Sequence, residues 1–336
     1  MAISNDLLSS TLYSIRDSEV DELYQKVAFL DGVKKAGGVE TIPGGIKIQR
    51  PLSIAEHSTI TQLSTGYEPV SLAVNDVLRP AIYEWCDFTA PIVVTKKEEM
   101  ENSGEFAIVK IVEARMKSVM GMLRRELNGQ ILANNSAILT NLETLNGDAG
   151  GSGSATGFLE HADPTIPGSQ TNTVGGISKT TFPVPGWLNQ FRNAGGAFTL
   201  DDMYQLYIPA NSVAPSGDIS HVIMSNAGLA AYRNALFNQE RYIDTTKLDG
   251  GRMGLAFNGA LCEQDPQMGF ASSVAGNVDG YMLNYDGIKL VFHTDGDFAV
   301  SPFEHISGTT ARAAQLYVKV QLVADFLGGQ GVLVNV

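Results

Sequence analysis

The stretch that decides the fold is residues 103–135, which read SGEFAIVKIVEARMKSVMGMLRRELNGQILANN. Apolar residues recur in it at intervals of four and seven: Ile108, Val112, Val119, Leu123, Leu127 and Ile131. Polar residues recur similarly on another side: Lys110, Glu113, Lys117, Arg124 and Asn128. Both series predict one amphipathic helix. At about 1.5 Å per residue it would be about 45 Å long, so it must lie along an elongated body or project from one.

Three observations refine this prediction. Thr95-Lys96-Lys97-Glu98 has the form of a capping box and predicts a short helix leading into the long one. Asn102 and Glu105 offer a second, weaker start signal. Gly121 costs about 1 kcal/mol against alanine in a helix interior, which predicts close packing or a slight bend there.

The residues before the helix alternate as β-strands do. Apolar residues occupy every second position around Ile46 and Ile48, and again from Val70 to Val74, with less regular apolar residues up to Val94. The polar segment between them, 56–68, reads as a turn. We therefore predict a long two-stranded hairpin. A lone hairpin is marginally stable in water, so its apolar residues predict cover from another subunit.

The rest of the chain is predicted as an acidic N-terminal arm over 1–40, a Gly/Pro-rich surface excursion over 146–196 and a compact α/β part from Thr199 to Pro302. Within that part, helices are predicted after Thr199, through Tyr207, and from Asn226 through Phe237. The predicted strands are His221–Met224, Leu255–Cys262, Tyr281–Asn284 and Ile288–Phe292. Turns are predicted at Asp279-Gly280 and Asp286-Gly287. A last strand over Ala314–Ala324 closes the fold.

The formal charge is −13, which argues against nucleic-acid binding by the whole surface and against a protein of anionic membrane surfaces. Residues 101–135 nevertheless carry five Lys/Arg and four Asp/Glu, so the remainder carries −14. A polyanion would therefore meet the helix face with Lys110, Lys117 and Arg124. No signal peptide and no run of eighteen apolar residues occurs, which predicts neither secretion nor a membrane span. Cys86 and Cys262 are expected to be buried thiols in a reducing compartment.

Catalytic signatures are missing. There is no phosphate-binding Gly-x-x-x-x-Gly-Lys-Ser/Thr and no Gly-x-Ser-x-Gly. The five histidines, His57, His161, His221, His293 and His305, lie outside metal-ligand spacings. His293, Asp295 and Asp297 alternate like metal ligands, yet Asp-Gly turn chemistry explains them more simply. We expect a structural, hydrogen-bonded His221, and core or interface roles for Trp85, Trp187 and Tyr207. No catalytic, cofactor-binding or metal-binding residue and no cofactor is predicted.

The order of these parts resembles the major capsid protein of tailed bacteriophages, with its α+β, Hong Kong 97-like fold. Several stretches carry the resemblance in order along nearly the whole chain. They are Gly44-Gly45, Lys97–Asn102, Gly175-Gly176-Ile177 with Trp187 and Asn189, Val222–Ser225 leading to Tyr232, Arg241–Asp244, Leu255–Ala260, Tyr281–Asn284 and the terminal Gln330-Gly331-Val332-Leu333.

The resemblance implies five parts: an N-terminal arm (1–40), an extended E-loop (41–94), a P-domain with the spine helix (95–136), an A-domain (137–310) and a C-terminal strand returning to the P-domain (311–336). Some family members cross-link an E-loop lysine to a neighbour's asparagine. Nothing marks Lys47 for that chemistry, so it is not carried over.

The resemblance implies a non-enzymatic subunit that self-assembles, through hexamers and pentamers, into the icosahedral head of a tailed double-stranded DNA phage. It would be made in the host bacterial cytoplasm and reside in the virion capsid. Implied partners are copies of itself, packaged DNA by weak non-specific contact, and possible decoration, scaffolding and portal proteins, with no membrane. Two alternatives stay open: an encapsulin-type compartment shell and a soluble α/β hydrolase-like enzyme.

Overall fold

The computed structural model describes residues 27–54, 60, 62–64, 66–67, 69, 77–101, 105–132, 138–142, 170, 172–195, 197–214, 217–237, 245–247, 253–268, 278–334 and 336. Most of the predicted arm and the low-complexity loop at 146–157 lie outside this part. The helices are α1 (Ala28–Lys35), α2 (Lys96–Glu101), α3 (Glu105–Leu132), α4 (Leu200–Val213) and α5 (Asn226–Phe237).

The strands, in chain order, are β1 (Val39–Ile42), β2 (Lys47–Ser53), β3 (Leu78–Glu84), β4 (Cys86–Thr95), β5 (Thr173–Val174), β6 (Ile177–Ser178), β7 (Gln190–Asn193), β8 (His221–Met224), β9 (Thr245–Lys247), β10 (Met253–Phe257), β11 (Ala260–Gln264), β12 (Val278–Leu283), β13 (Ile288–His293), β14 (Ala299–Val300), β15 (Glu304–His305), β16 (Ala311–Ala324) and β17 (Gly331–Val334). The chain is thus mixed α and β, as predicted.

Helix α3 is the predicted long helix, and its buried stripe consists of Met116, Met120, Leu123, Leu127 and Ile131. The prediction named the last three. It missed the two methionines and placed Val119, which is half-buried, in the stripe. Asn128 was assigned to the polar side but is fully buried. The side chains of residues 105–114 lie outside the described part, so the predicted contribution of Ile108 and Val112 is not tested.

Asn128 is buried because it links α3 to the end of β11. Its side-chain amide donates to Asp265 Oδ2 at 3.1 Å and to Gln267 Oε1 at 2.5 Å. Gln267 in turn donates to the backbone carbonyl of Arg125 at 2.8 Å. A buried polar group is stabilised by such partners, and periodicity alone cannot reveal them.

Strand β16 is the centre of a first, six-stranded sheet. It pairs antiparallel with β4 over ten residues, from Ala311 opposite Thr95 to Val320 opposite Cys86, and also with β13, β14 and β15. Strand β1 pairs parallel with β13. Alternate residues of the β4/β16 pair, such as Ile92 and Val318, are buried in one apolar cluster with α3. The residues between them, such as Asp87 and Thr89, are exposed on the other face.

The second sheet has seven strands in the order β7-β17-β12-β8-β11-β10-β9. Val222, Cys262 and Met282 pack on one face in a cluster with α4 and α5, while Ile223 and Tyr281 face the main core. Leu255–Cys262 was predicted as one strand and is a hairpin, β10 and β11. Its turn is Asn258-Gly259, with φ of 48° and 87°, a pair of left-handed residues typical of a type I′ turn.

Other predictions in this sheet need smaller corrections. Asp279-Gly280 lies inside β12, where a register shift accommodates it, and is not a turn. The Asp286-Gly287 turn is confirmed, with the Gly287 N–H donating to the Asn284 carbonyl at 3.2 Å. Helix α4 runs beyond the predicted Tyr207 to Val213, and its start is fixed by the Thr199 N–H donating to Asp202 at 2.9 Å. Helix α5 begins at Asn226 as predicted.

The hairpin is present but shorter than predicted. Strands β2 and β3 pair over seven residues, from Lys47 opposite Glu84 to Ser53 opposite Leu78. The chain then leaves the hairpin, because β4 pairs with β16 in the first sheet. Alternation shows which residues are strands but not which partner each strand takes, so β4 was wrongly counted in the hairpin.

Arg115 holds together the three elements where α3 begins. Its guanidinium donates to the Val93 carbonyl and forms an ion pair with Glu98. Glu98 also accepts from the Thr95 N–H at 3.0 Å, so the predicted capping box of α2 is confirmed. The Arg115 hydrogen bond, followed by those from Thr95, lowers the pKa of Glu98 to about 2.

We expect Gly121→Ala to stabilise the unassembled subunit by up to about 1 kcal/mol in chemical denaturation, because alanine is the better helix former. A Cβ at Gly121 meets no atom within 4 Å, so the predicted close packing is wrong within this chain. Gly287→Ala is the matched control, since its Cβ would lie 2.4 Å from the Phe326 carbonyl oxygen. Gly287→Ala should lower stability. A destabilised Gly121→Ala subunit would contradict the assignment.

Arg115→Gln should return the pKa of Glu98 from about 2 toward its ordinary value of 4.5, measured by NMR titration of the side-chain carboxyl. Because the folded-state pKa lies below the unfolded one, this carboxylate stabilises the fold above about pH 4.5, and the stabilisation is lost as the pH falls toward 2. The variant should therefore lose part of the acid dependence of unfolding in that window. Lys117→Gln, two residues along the same helix, should leave the Glu98 titration unchanged.

Candidate assembly interface

The hairpin has one face that its own chain covers. Ile48, Ala81 and Tyr83 are buried on this face. The Ile82 N–H donates to the Gly175 carbonyl at 2.8 Å, and the Tyr83 hydroxyl donates to the Ala324 carbonyl at 3.1 Å. The expectation that both strands need cover from another subunit is therefore wrong for this face, because the β5–β6 turn supplies it.

The opposite face and the end of the hairpin are exposed. Leu78 and Ile82 lie on the open face, and Ile46 precedes β2 with 92% of its surface exposed. Beyond the paired strands, Ile60 and Tyr67 are 89% and 95% exposed, with Leu63 about half exposed. We call Ile60, Leu63 and Tyr67 the hairpin tip. Large apolar side chains with this exposure are candidates for an interaction surface.

The edges of the hairpin are poor templates for another strand. Pro51 and Pro80 lie directly opposite each other, and neither has an N–H to donate. They therefore occupy a non-hydrogen-bonded pair of the ladder. At such a pair the backbone N–H groups of ordinary residues point away from the partner strand, so the ladder loses no hydrogen bond to the prolines. The outward direction is visible at Ile82, two residues on, whose N–H reaches Gly175 outside the ladder. A neighbouring chain is thus favoured to contact the hairpin through side chains.

Charge differs sharply between the hairpin and α3. Residues 51–78 contain Glu56, Glu68 and Asp76 and no Lys or Arg, a formal charge of −3. Residues 115–132 of α3 contain four Lys/Arg and one Glu, a formal charge of +3. Lys117 and Arg125 are exposed, as is Met122 between them. Of the three cations predicted on one helix face, Lys117 is exposed, Arg124 is half-buried and Lys110 lies outside the described side chains, so contact of this face with a polyanion stays a prediction.

Beside the foot of the hairpin is an open cavity of about 660 Å³, which we call the Trp85 pocket. Its lining comes from three places: Gly45, Ile46 and Lys47 at the start of β2, Glu84, Trp85 and Asp87 where β3 meets β4, and Lys319 on β16. The Trp85 indole N–H donates to the Gly45 carbonyl at 2.9 Å, and its ring packs edge-on against His293 at 5.5 Å.

His221 is buried and hydrogen-bonded, as predicted. Its Nδ1 lies 2.5 Å from the Tyr285 hydroxyl and its Nε2 lies 3.0 Å from Glu263 Oε1. Burial, and secondarily the nearby Glu263, Asp31 and Asp265 carboxylates, raises the pKa of Tyr285 well above 10. A Cβ on Gly32 of α1 would lie 2.3 Å from the Tyr285 hydroxyl, so the helix backbone seals this cluster. His221 is only 2% exposed, as expected of a structural histidine.

The remaining singled-out residues also have structural positions. His293 accepts at Nδ1 from the Asp295 N–H at 3.1 Å in a 3₁₀ turn, so turn geometry explains the His293, Asp295 and Asp297 spacing. Within the described ranges, no group of three His, Cys, Asp or Glu side chains is placed to hold a metal. Trp187 is buried, and Tyr207 packs edge-on against Phe257 at 5.6 Å.

Both cysteines are buried free thiols, as predicted. Burial raises the pKa of Cys86 to about 11 and that of Cys262 to about 12. Both thiols are therefore protonated and poorly nucleophilic at neutral pH. Among the described helices, none has the length and apolarity needed to cross a membrane.

Sequence reasoning missed three parts of this surface: the opposed prolines, the Trp85 pocket and Met122. The prolines were visible at positions 51 and 80, but only the register brings them together. Trp85 was expected in a core or interface, and its pocket depends on β16, more than 200 residues later. Met122 carries no signal of its own beside the buried Met116 and Met120.

No protein-family model matches the sequence, and no curated protein matches it. Solved structures do. The cyanophage A-1(L) capsid is 16% identical, with a TM-score of 0.59 over 90% of this chain and 92% of that one. The holo-SrpI encapsulin complex from Synechococcus elongatus is 13% identical, with a TM-score of 0.56 over 90% and 87%. The capsid of Myoviridae phage XM1 is 8% identical, with a TM-score of 0.51 over 90% and 91%.

These likenesses cover nearly the whole of each chain. The sequence identities are too low to transfer a function, but the arrangement of helices and sheets is shared. The mixed α and β fold of this chain is thus the fold of capsid and encapsulin shell proteins, and the Hong Kong 97-like fold predicted from the resemblance is confirmed.

Proposed function

We propose that this protein is the major capsid protein of a tailed double-stranded DNA phage, a non-enzymatic subunit that assembles into an icosahedral head. The observation that carries the proposal is the exposed apolar hairpin tip, Ile60, Leu63 and Tyr67, on a chain with the fold of shell proteins. A soluble monomer gains nothing from these exposed groups, whereas a neighbouring copy can bury them. An α/β hydrolase-like enzyme would have a different fold.

In this proposal the parts of the chain take the family's roles. Residues 1–40 are the arm, 41–94 the E-loop, 95–136 the P-domain with α3, 137–310 the A-domain with its excursion at 146–196, and 311–336 the returning C-terminal strand. The shell is built from hexamers and pentamers in the virion, after synthesis in the host bacterial cytoplasm. Portal, scaffolding and decoration proteins are further possible partners.

The likeness to the encapsulin complex favours one second candidate, a protein compartment without a genome. Electron microscopy of particles from infected or lysogenic cells separates the two. Tailed particles filled with DNA support the phage head, and small particles filled with protein support the compartment.

The triple variant Ile60→Ser, Leu63→Ser and Tyr67→Ser should remain a folded, soluble subunit but fail to form shells, because the buried apolar area at each contact falls. We would co-express it with the scaffold that the wild type needs and follow assembly by sedimentation velocity, with circular dichroism as the check on folding. The matched control, Ile60→Val, Leu63→Met and Tyr67→Phe, keeps the apolar surface and should assemble. Normal shells from the serine variant would refute the role of the tip.

We also propose that the cationic side of α3 makes the weak, non-specific contact with packaged DNA. Lys117→Gln with Arg125→Gln should make the negative slope of log K against log salt for duplex DNA shallower by about 2, because each phosphate that a cation neutralises contributes about −0.9 to that slope. Fluorescence anisotropy on assembled or unassembled subunits measures it. Arg233→Gln on α5 is the control and should leave the slope unchanged. An unaltered slope in the α3 variant would place the DNA contact elsewhere.

A further inference from the structure

From the cavity between α4, α5 and the β10–β11 turn, we infer that this chain binds an arginine side chain carried by a basic, partly apolar segment of a partner protein. We call this cavity the Tyr204 pocket, and its volume is about 470 Å³. Its lining, all within the described part of the chain, includes the aromatic residues Tyr204, Tyr232 and Phe257 and the carboxylate of Asp201, but no Lys or Arg. The inference is independent of the proposed function, because it uses only this cavity and the helix beside it.

The pocket has a fixed aromatic floor and one open aromatic wall. The centre of the Phe257 ring lies 5.0 Å from that of Tyr204 and 6.3 Å from that of Tyr232. The Tyr232 hydroxyl donates to the Ala256 carbonyl at 2.9 Å, which holds that ring in place. Tyr232 and Phe257 are buried, whereas Tyr204 is 41% exposed. A planar guanidinium can stack on the exposed Tyr204 ring and is attracted by its negative face.

The polar groups at the mouth of the pocket are suited to accept hydrogen bonds. Asp201 is exposed, and its Oδ2 accepts from the Gln205 side-chain amide, while its Oδ1 has no hydrogen bond within the described residues. On the opposite side, Asn258 Oδ1 accepts from the Tyr204 hydroxyl at 3.5 Å. Arginine carries five N–H donors and no acceptor. An arginine therefore matches both the aromatic wall and the free carboxylate oxygen.

The charge at the mouth favours a cation over an anion. A helix N-terminus alone attracts anions, and α4 begins at this pocket. Its first turn, however, contains Asp201 and Asp202, and the whole helix contains no Lys or Arg. Asp202 is buried and ion-paired with Arg192. The exposed Asp201 carboxylate is therefore the charge that a guest would meet.

The site extends beyond the pocket along α4, which indicates a protein segment and not a free small molecule. Asp201, Tyr204 and Ile208 are spaced by three and four residues, so they lie on one side of the helix. Ile208 is 63% exposed. Asp201 and Ile208 are about 10 Å apart along the helix axis, and an extended peptide covers about the same distance in three residues. A segment with an apolar residue three positions after its arginine would fill the pocket and cover Ile208.

The net charge favours a different protein over a second copy as the source of this segment. The chain carries a formal charge of −13, so copies repel each other at long range and a basic segment is attracted. Such complementarity raises the rate of encounter and selects against acidic partners.

The first test compares two synthetic peptides on the purified, unassembled chain. One is acetyl-Gly-Arg-Ala-Ala-Leu-Gly amide, and in the other citrulline replaces arginine, which keeps the shape and removes the charge. Saturation-transfer NMR titration measures both dissociation constants. We expect the arginine peptide to bind about tenfold more tightly, because it alone makes the ion pair and the cation–π contact. Equal binding of the two peptides, or no saturable binding of the arginine peptide, would overturn the inference.

Substitutions then locate the binding site. Tyr204→Ala should weaken binding of the arginine peptide about twofold to fivefold, and Tyr204→Phe, which keeps the ring, should retain it. Asp201→Asn should weaken binding by a similar factor, about twofold to fivefold. Asp218→Asn is the matched control, since it removes an exposed carboxylate outside the pocket and should change nothing. Circular dichroism checks that each variant is folded. Undiminished binding in Tyr204→Ala and Asp201→Asn would place the peptide elsewhere and contradict the assignment.

A last variant distinguishes a protein segment from a free guanidinium compound. Ile208→Ser should weaken binding of the arginine peptide but leave binding of N-acetyl-arginine amide unchanged. If both bind the variant as they bind the wild type, the site takes only a side chain and the inference of a segment is wrong. Self-association that Tyr204→Ala abolishes, without any peptide binding, would identify a second copy as the occupant and also overturn it. Shell formation is a separate measurement, so failure of this inference is distinguishable from failure of the proposed function.

Discussion

The chain crosses directly between the two sheets from β12 to β13 and from β16 to β17. Both connections meet at a junction with no room for extra side chains, and the rest of the molecule depends on it. Gln330 is fully buried there. Its amide donates to the Asn284 carbonyl at 2.7 Å, and its side-chain oxygen accepts from the Asn284 N–H at 2.9 Å. A Cβ on Gly287 would lie 2.4 Å from the Phe326 carbonyl, and one on Gly328 would lie 2.3 Å from the Pro185 carbonyl. The two sheets are therefore fixed relative to each other by backbone contact, not by a loose linker.

Helix α3 is fastened to both sheets, which makes the body a single stiff unit. Arg115 ties its N-terminal half to β4, and Asn128 ties its C-terminal half to the end of β11. Between these two points, the apolar stripe from Met116 to Leu127 is buried. Removing one partner of a buried polar contact leaves the other unsatisfied at a cost of about 1–3 kcal/mol. Asn128 and Asp265 therefore determine where the helix can lie as well as stabilise it.

The sequence predicted the elements better than their partners, for physical reasons. The apolar periodicity of a helix and its capping residues lie within one short segment. The sequence of that segment was therefore enough to predict α3 and the capping boxes at Thr95 and Thr199. Strand partners depend on residues far along the chain, so β4 was assigned to the hairpin although β16, more than 200 residues later, pairs with it. The break at Asn258-Gly259 was a missed local signal, because an Asn-Gly pair between apolar runs is typical of a hairpin turn. The sequence predicted the candidate interface only as a hairpin with uncovered apolar residues. Its cover by the β5–β6 turn and its pocket at Trp85 require the tertiary fold.

In the proposed function, stiffness and exposure together would let the subunit build a closed shell. The body resists bending because its sheets share a junction and its helix bridges them, so the angle between neighbours has to be set at their contacts. The hairpin is attached to that body on one face only, through Ile82 to Gly175 and Tyr83 to Ala324, and presents its other face and its tip outward. Because Pro51 and Pro80 leave the hairpin edges without donors at their middle, copies are not drawn into an endless sheet. Side-chain contacts tolerate small changes of angle that a strand ladder would not, and the shell proposed above, with both five-fold and six-fold positions, would need that tolerance.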